Sequence, residues 1–213
     1  MRYFIADTHF GHDLIRAMLR RYPGTKDLFP SVEAHDEFLL RSINSTVQEQ
    51  DELFILGDFS RQPGKYRARI NCKHVYLVRG NHDPVQKCLN VFGQIPWIRK
   101  TKVRKGGESL KVVLCHFPFA YWEGSHNGWG HLYGHTHAQR EGTMCDGLGR
   151  ERRSFDVGVD NLMRVFGHYA PISEEVVFDG FTSIKGHDDR EFYRKLQAIR
   201  DEDFFNAPDE NSD

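Results

Sequence analysis

The feature that most constrains this chain is a short apolar run that ends abruptly in polar side chains, the stretch Val75-Tyr76-Leu77-Val78-Arg79-Gly80-Asn81-His82-Asp83. The apolar half predicts a buried strand, and the polar half predicts the loop that leaves its carboxyl end. In open α/β sheets, ligands bind in the crevice outside that end. Glycine lets the backbone turn sharply and approach a ligand closely. The stretch therefore predicts a ligand site that offers an amide oxygen, an imidazole and a carboxylate.

The same pattern recurs along the chain. Other apolar runs end in residues that can bind metals: Asp7 and His9, Asp58, His116, and His135 and His137. Five such places in sequence are difficult to explain as ordinary turns and purely structural histidines. Within each of the two pairs the residues are two apart, so on extended chain their side chains would point the same way. We therefore expect these residues to converge on one site.

The ligand types narrow the identity of the cation. There is no set of thiolate ligands, which argues against a structural zinc site. Imidazole combined with carboxylate and amide oxygen suits Mn²⁺, our first expectation, or Fe, Zn, Ni or Co. The candidate ligands are too many for one ion and fit two divalent ions that share a bridge, for which Asp58 is the natural residue. Two metals roughly 3.5–4 Å apart can hold a hydroxide and clamp phosphate oxygens.

The order of apolar runs predicts an α/β fold. Strands are predicted at Tyr3–Ala6, Glu52–Leu56 and His74–Val78, with intervening helical segments that favour a parallel arrangement. A hairpin about Gly106-Gly107, a strand at His131–Tyr133 and a strand over Ser154–Asp160 are predicted next. Helices are predicted from Ser31 to about Val47, over Val85–Val91, after Ser173 and over Asp188–Arg200.

Length and composition bound the class of protein. The 213 residues predict a single domain over 1–200, followed by an acidic, disordered tail at 201–213. A net charge of −1 provides no general attraction to nucleic acid or to a membrane, and no apolar run is long enough to span one. The four cysteines are scattered without a CxxC pair, which predicts reduced thiols in a cytoplasmic protein.

Taken together, the motifs resemble those of the calcineurin-like metallophosphoesterases. The resemblance is carried by Asp7-Thr8-His9, Gly57-Asp58, Gly80-Asn81-His82-Asp83, His116 and Gly134-His135-Thr136-His137, in this order. It covers residues 7–137, and the opening stretch 4–12 looks like the small bacterial and phage branch of the family. The resemblance implies a layered α/β/β/α sandwich with the metals at the strand ends.

The resemblance also implies a role for each residue of the motifs. One metal would be held by Asp7, His9 and His137, and the other by Asn81, His116 and His135, with Asp58 bridging them. A metal-bridging hydroxide would attack phosphorus. His82 would contact the scissile phosphate and either stabilise its charge or protonate the leaving oxygen. Asp83 could orient that imidazole, and Arg79 and His12, close to the ligand loops in sequence, could touch phosphate oxygens.

Three functions are consistent with these expectations. The leading hypothesis is a phosphodiesterase that acts on a nucleotide or nucleic acid. A phosphomonoesterase acting on small metabolites belongs to the same enzyme class and differs only in whether a second ester substituent fits. A catalytically inactive interaction scaffold is the third reading, although such a relative would be expected to have lost ligands or the active histidine. The aromatic stretch 119–130 could form a wall over the cleft or simply pack against the protein.

Overall fold

The computed structural model describes residues 1–12, 29–138 and 153–183, and the chain forms two four-stranded sheets within them. The strands are β1 (Arg2–Ile5), β2 (Glu52–Leu56), β3 (His74–Val78), β4 (Ile98–Lys105), β5 (Glu108–Cys115), β6 (Gly130–Tyr133), β7 (Ser154–Asp156) and β8 (Ile172–Ser173). The helices described are α1 (Val32–Thr46), α2 (Pro63–Arg67), α3 (Val85–Phe92), α4 (Val159–Phe166) and α5 (Glu174–Thr182), with a short 3-10 turn at Ser125–Asn127.

The first sheet has the order β3-β2-β1-β8. Strands β1, β2 and β3 are parallel, with Ile5 opposite Ile55 and Ile55 opposite Leu77. Strand β8 pairs antiparallel with β1 at the other edge. The parallel strands are continuous apolar runs because helices and a second sheet cover their two faces. The three strands and the parallel arrangement predicted from the sequence are confirmed.

The second sheet has the order β4-β5-β6-β7. Strands β4 and β5 form the predicted hairpin about Gly106-Gly107, and β5, β6 and β7 run parallel to one another. One hydrophobic core includes buried side chains from both sheets, among them Phe4, Leu114 and Leu132. The two sheets with their helices form the layered α/β/β/α sandwich that was expected.

The helix starts follow the capping residues of the sequence. The Ser31 side chain accepts a hydrogen bond from the backbone N–H of Ala34 at 3.2 Å, and Ser173 accepts one from Val176 at 3.3 Å. Helix α3 begins directly after Pro84. The predictions of α1, α3 and α5 are therefore confirmed by the local chemistry on which they were based.

The strand predicted over Ser154–Asp160 is wrong in its second half. Strand β7 ends at Asp156, and α4 begins at Val159. The Asp156 carboxylate accepts a hydrogen bond from the backbone N–H of Gly158 at 2.7 Å, and the Asn161 side chain donates to the Asp156 carbonyl oxygen at 2.7 Å. These two contacts turn the chain from strand to helix, and apolar–polar alternation over seven residues could not reveal them.

The carboxyl ends of the two sheets lie side by side. The backbone N–H of Ala6, just beyond β1, donates to the carbonyl oxygen of Val157 at 2.9 Å, and Val159 donates back to Ala6 at 3.1 Å. Val157 in turn donates to Tyr133 at the end of β6 at 2.8 Å. The loops that leave parallel strands of both sheets therefore meet along one edge of the sandwich.

Several expectations fall on other parts of the chain. The helix over Asp188–Arg200, the tail at 201–213 and Cys145 lie outside the described residues. Cys72, Cys88 and Cys115 are buried, free thiols. Among the helices described, none is long and apolar enough to cross a membrane.

Candidate metal centre

The backbone of the candidate ligands is unusual. Six non-glycine residues in the described ranges have a positive φ, and five of them are candidate ligands: Asp7 (58°), His9 (45°), Asp58 (51°), His135 (71°) and His137 (49°). This left-handed conformation costs of order 1–3 kcal/mol per residue and is concentrated at functional sites. The expectation that both pairs lie on extended chain is therefore wrong. Each pair sits in a strained turn just beyond its strand.

A first group of ligand atoms joins the two sheets. Donor atoms of Asp7, His9 and His137 lie within 4.8 Å of one another. Asp7 Oδ1 and His9 Nε2 are buried and make no hydrogen bond to other described residues. Buried polar atoms without partners are costly, and a shared cation would satisfy both of them. This group matches the set of residues that the family resemblance assigned to one metal.

A second group lies beside the first. Donor atoms of Asp58, His116 and His135 also lie within 4.8 Å of one another. Nδ1 of His116 donates to the carbonyl oxygen of Leu56 at 2.9 Å, which directs Nε2 towards Asn81 Oδ1, 2.9 Å away. A hydrogen bond of this kind at one ring nitrogen orients the other nitrogen for a metal. The structure therefore brings together all four residues expected around the second ion.

Asp58 lies between the two groups. Its Oδ2 is 3.6 Å from Nε2 of His9 in the first group and 3.4 Å from Nε2 of His116 in the second. Its Oδ1 accepts a hydrogen bond from the backbone N–H of His82 at 2.8 Å. One carboxylate oxygen therefore faces ligand nitrogens of both groups, which is the position that a bridging ligand needs.

Glycines make room for these carboxylates. A Cβ placed on Gly80 would come within 2.3 Å of both the backbone nitrogen and Oδ1 of Asp58. A Cβ on Gly134 would come within 2.6 Å of Asp7 Oδ2. Movement of the carboxylate alone would not make room, because the added Cβ would also meet the backbone of Asp58 at Gly80 and the Cβ of Ala6 at Gly134. The glycines that precede Asn81 and His135 are therefore steric requirements of the site.

Comparison with known proteins places the chain in a family. Residues 3–207 match the model of the calcineurin-like phosphoesterases. The chain belongs to the calcineurin-like phosphoesterase family. Gene 66 protein of Mycobacterium phage L5 is 25% identical over 209 residues, covering 83% of this chain and 92% of the phage protein. The crystal structure of AQ665, a protein of unknown function from Aquifex aeolicus, superposes with a TM-score of 0.58 at 23% identity, covering 84% of this chain and 98% of that one.

Membership of the calcineurin-like phosphoesterases implies metal-dependent hydrolysis of phosphate esters. The fold and the two groups of His and Asp side chains agree with that activity. The similarity to AQ665 supports the fold alone. The resemblance found in the sequence is confirmed at the level of the family.

The charges of the phosphoesterase site depend on its burial. Burial lowers the pKa of His9 to about 3, so this imidazole is neutral and able to bind a metal. Burial would raise the pKa of Asp58, but its interactions with His116 and His9 bring it below the ordinary value. Burial opposes protonation of His116 and His137, yet the neighbouring carboxylates raise the pKa of each to about 9.

The Asp83 carboxylate binds backbone N–H groups, whereas the sequence led us to expect that it could orient the His82 imidazole. Its carboxylate accepts hydrogen bonds from the backbone N–H groups of Asp58 at 3.0 Å, Phe59 at 2.8 Å and Gly80 at 2.8 Å. These contacts connect the loops after β2 and β3 and do not involve the His82 imidazole. We therefore describe Asp83 as a residue that holds two ligand loops together.

The residues predicted to contact substrate, His82, His12 and Arg79, lie beside the two groups of metal ligands and belong to neither. His82 is exposed, and its ring centre is 5.5 Å from that of His9 and 5.3 Å from that of His12. His12 is buried beneath this exposed ring. The guanidinium of Arg79 lies over the indole of Trp97, 4.3 Å from its centre. His82 is therefore accessible to a substrate, and it is the exposed histidine of the site that belongs to neither metal group.

Two aspartates of the site were not identified from the sequence. Oδ2 of Asp160 lies 2.5 Å from Nδ1 of His137. Asp156 accepts hydrogen bonds from the Thr136 hydroxyl at 2.7 Å and from the Ala138 N–H at 3.4 Å. Both brace the turn that carries His135 and His137. A signal for Asp156 was available, because it lies in the predicted strand Ser154–Asp160 as a carboxylate on the alternating stretch.

Proposed function

We propose that this phosphoesterase is a phosphodiesterase that acts on a nucleotide or nucleic acid and uses two divalent ions, with Mn²⁺ preferred. The observation that carries the proposal is the position of Asp58, whose Oδ2 faces His9 and His116 from two adjacent ligand groups. Asp7, His9 and His137 would hold one ion, and Asn81, His116 and His135 the other. When bound, two such ions lower the pKa of a shared water and neutralise charge on phosphate oxygens.

The protein's own residues would then orient and protonate the substrate. His82 is exposed next to both groups, and its backbone N–H is anchored on Asp58 Oδ1 at 2.8 Å. From there its imidazole can donate a proton to the departing ester oxygen. Because His82 touches substrate in this scheme, it is the catalytic residue. Arg79 and His12 would have supporting roles. His12 would support the His82 ring by packing against it.

The diester preference is supported by the openness of the site. Asn81, His82 and His135 are all exposed, so the phosphate position is open to solvent on this side. We expect a second ester substituent to extend from the phosphate into the solvent on this exposed side. A closed pocket around the phosphate would have favoured a monoester. The buried free thiols of Cys72, Cys88 and Cys115 support a cytoplasmic location.

The test compares two chromogenic esters in the presence of Mn²⁺. We expect bis-para-nitrophenyl phosphate to be hydrolysed with a higher kcat/KM than para-nitrophenyl phosphate. The Asp58→Ala variant, analysed for metal after purification, should lose both bound metal and rate. A higher kcat/KM for the monoester would establish the phosphomonoesterase alternative. Absence of hydrolysis by metal-loaded protein with either ester would leave the interaction scaffold as the remaining reading.

A further inference from the structure

A continuous series of aromatic and cationic side chains leads from the second metal group to the surface. The ring of Phe117 lies 4.7 Å from that of His135 and 5.0 Å from that of His116, both edge to face. The indole of Trp97 follows, 6.3 Å from Phe117. Arg79 covers part of that indole at 4.3 Å. The series therefore begins at the ligands and ends at a cation.

The pairing of β4 with β5 places these residues together. Ile98, the first residue of β4, is opposite Cys115, the last residue of β5. Trp97 directly precedes Ile98 and therefore lies beside the residues that follow Cys115, of which Phe117 is the second. The hairpin is held by a full ladder of pairs from Ile98 to Lys105, so this juxtaposition is part of a rigid element.

Trp97 is not packed as a core residue. About half of it is exposed (48%), although it is among the largest apolar side chains of the protein. Phe117 is half-buried, with the ligand imidazoles on its inner side. This exposed indole is separated from the metal site by one ring, that of Phe117, and a guanidinium lies against it. Together they offer a flat apolar surface and a positive charge. Flat aromatic surfaces bind nucleobases by stacking, and a nearby arginine adds a cation–π contribution.

We propose that Trp97 and Phe117, with Arg79, form a subsite that stacks the nucleobase of a nucleotide whose phosphate lies at the metal centre. This inference depends on the proposed function and specifies its substrate class. Phe117 would form the inner wall of the subsite and Trp97 the stacking surface. Arg79 would hold the indole in place and add positive charge beside the base. A nucleotide has its phosphate at one end and its base at the other. In the same order, the metal ligands would bind the phosphate and the aromatic rings further along the series would bind the base.

The test measures binding by calorimetry on the Mn²⁺-loaded protein and requires no turnover. Adenosine 5′-monophosphate and ribose 5-phosphate share the phosphate and the sugar and differ in the base. Base–aromatic stacking contributes about 1–3 kcal/mol, so we expect the nucleotide to bind about 5- to 150-fold more tightly than ribose 5-phosphate. Trp97→Ala should abolish this difference, and Trp97→Phe should retain most of it.

The control variant is Phe38→Ala, which removes a comparably exposed aromatic ring (38%) on α1, where it packs against Phe29 and Tyr169. It should leave the preference for the nucleotide unchanged. Equal affinities of the wild-type protein for the two ligands would overturn the subsite. So would a preference that persists at full strength in Trp97→Ala.

Longer ligands separate a mononucleotide substrate from a nucleic acid. Tighter binding of a short single-stranded oligonucleotide than of the mononucleotide, with the same dependence on Trp97, assigns the subsite to a nucleic acid. Equal binding assigns it to free nucleotides. A preference that depends on Trp97 without hydrolysis of any ester would retain the subsite and reject the proposed activity. Hydrolysis of esters by a protein that does not prefer the nucleotide over ribose 5-phosphate would retain the proposed activity and reject the subsite.

Discussion

Asp160 acts on the metal centre through His137, the candidate ligand that its carboxylate contacts. At 2.5 Å between Nδ1 and Oδ2, the carboxylate holds the imidazole in one orientation. Carboxylates in this position raise the basicity of the ligand and fix its tautomer. Asp160 belongs to the first turn of α4, so the helix itself places the carboxylate. We describe Asp160 as a positioning residue of the metal centre.

We predict that Asp160→Ala weakens metal binding by about 10–100-fold, the usual effect of losing such a partner. Asp160→Asn should recover part of the loss, because its amide oxygen can still accept from Nδ1. The measurement is a competition titration against a chromophoric chelator, which does not depend on activity. Asp179→Ala is the matched control, since Asp179 pairs with Lys105 on the surface. Wild-type metal affinity in Asp160→Ala would contradict the assignment.

The second prediction at this scale concerns His82. His82→Ala should retain both metals and lose about 10²–10⁴-fold in kcat, the usual contribution of general acid catalysis. The loss should be larger for alkyl esters than for para-nitrophenyl esters, because an alkoxide needs a proton more than a nitrophenolate does. The measurements are kcat for both kinds of ester and metal analysis of the variant. Full activity on an alkyl ester would show that His82 is not the acid.

Among elements, the Asp83 carboxylate joins the loops after β2 and β3, in addition to the contact of the His82 N–H with Asp58 Oδ1. Asp83 accepts from three backbone N–H groups, two of them on the loop after β2. It is buried, so water cannot replace it at those donors. Burial also raises the pKa of this carboxyl against the effect of its hydrogen bonds. The distance between Asp58 and Asn81 in the site therefore depends on Asp83.

We predict that Asp83→Ala lowers the free energy of unfolding by about 3 kcal/mol or more, because buried donors left without an acceptor cost about 1–3 kcal/mol each. The variant should also bind metal more weakly. Urea denaturation of the metal-free protein measures the first effect without the second. Glu37→Ala provides the comparison, since its exposed pair with Arg69 is expected to contribute little. If Asp83→Ala loses activity with unchanged stability, its role is to orient His82 after all.

At the scale of the whole molecule, the metal centre joins the two sheets. The first sheet contributes Asp7, His9, Asp58 and Asn81, and the second contributes His116, His135 and His137. Each group of ligands contains residues from both sheets. Metals bound here would connect the two layers of the sandwich, and they would be released when the layers separate on unfolding.

We therefore predict that Mn²⁺ stabilises the whole fold. A ligand at one hundred times its dissociation constant adds about 2.7 kcal/mol, which corresponds to a rise in Tm of roughly 5–10 °C for a domain of this size. The measurement is thermal unfolding with added Mn²⁺ and with a chelator. Asp58→Ala should show a much smaller rise. A Tm that is the same in both conditions would exclude a site shared between the sheets.

The sequence was informative about the fold wherever one local signal decided the structure. Strands β1, β2, β3 and β6 were predicted because apolar runs end at polar clusters, and β4 and β5 were predicted from the hairpin turn at Gly106-Gly107. Helices α1 and α5 were predicted because Ser31 and Ser173 cap them. The error at β7 has a local cause as well. Asp156 and Asn161 end the strand through hydrogen bonds that a pattern of apolar residues does not encode.

By itself, the sequence determined which kinds of donor atom this protein can present and at which strand ends they occur. The identities of Asp7, Asp58 and His116 and the glycines around them are local properties of the chain. The division of these donors into two groups was implied by the family resemblance, and the structure places them accordingly. The tertiary structure alone decided that Asp83 holds backbone amides and that Asp160 reaches His137. The physical reason is that such contacts join residues from different strands and sheets. Their distances follow from how the layers pack, which no local pattern records.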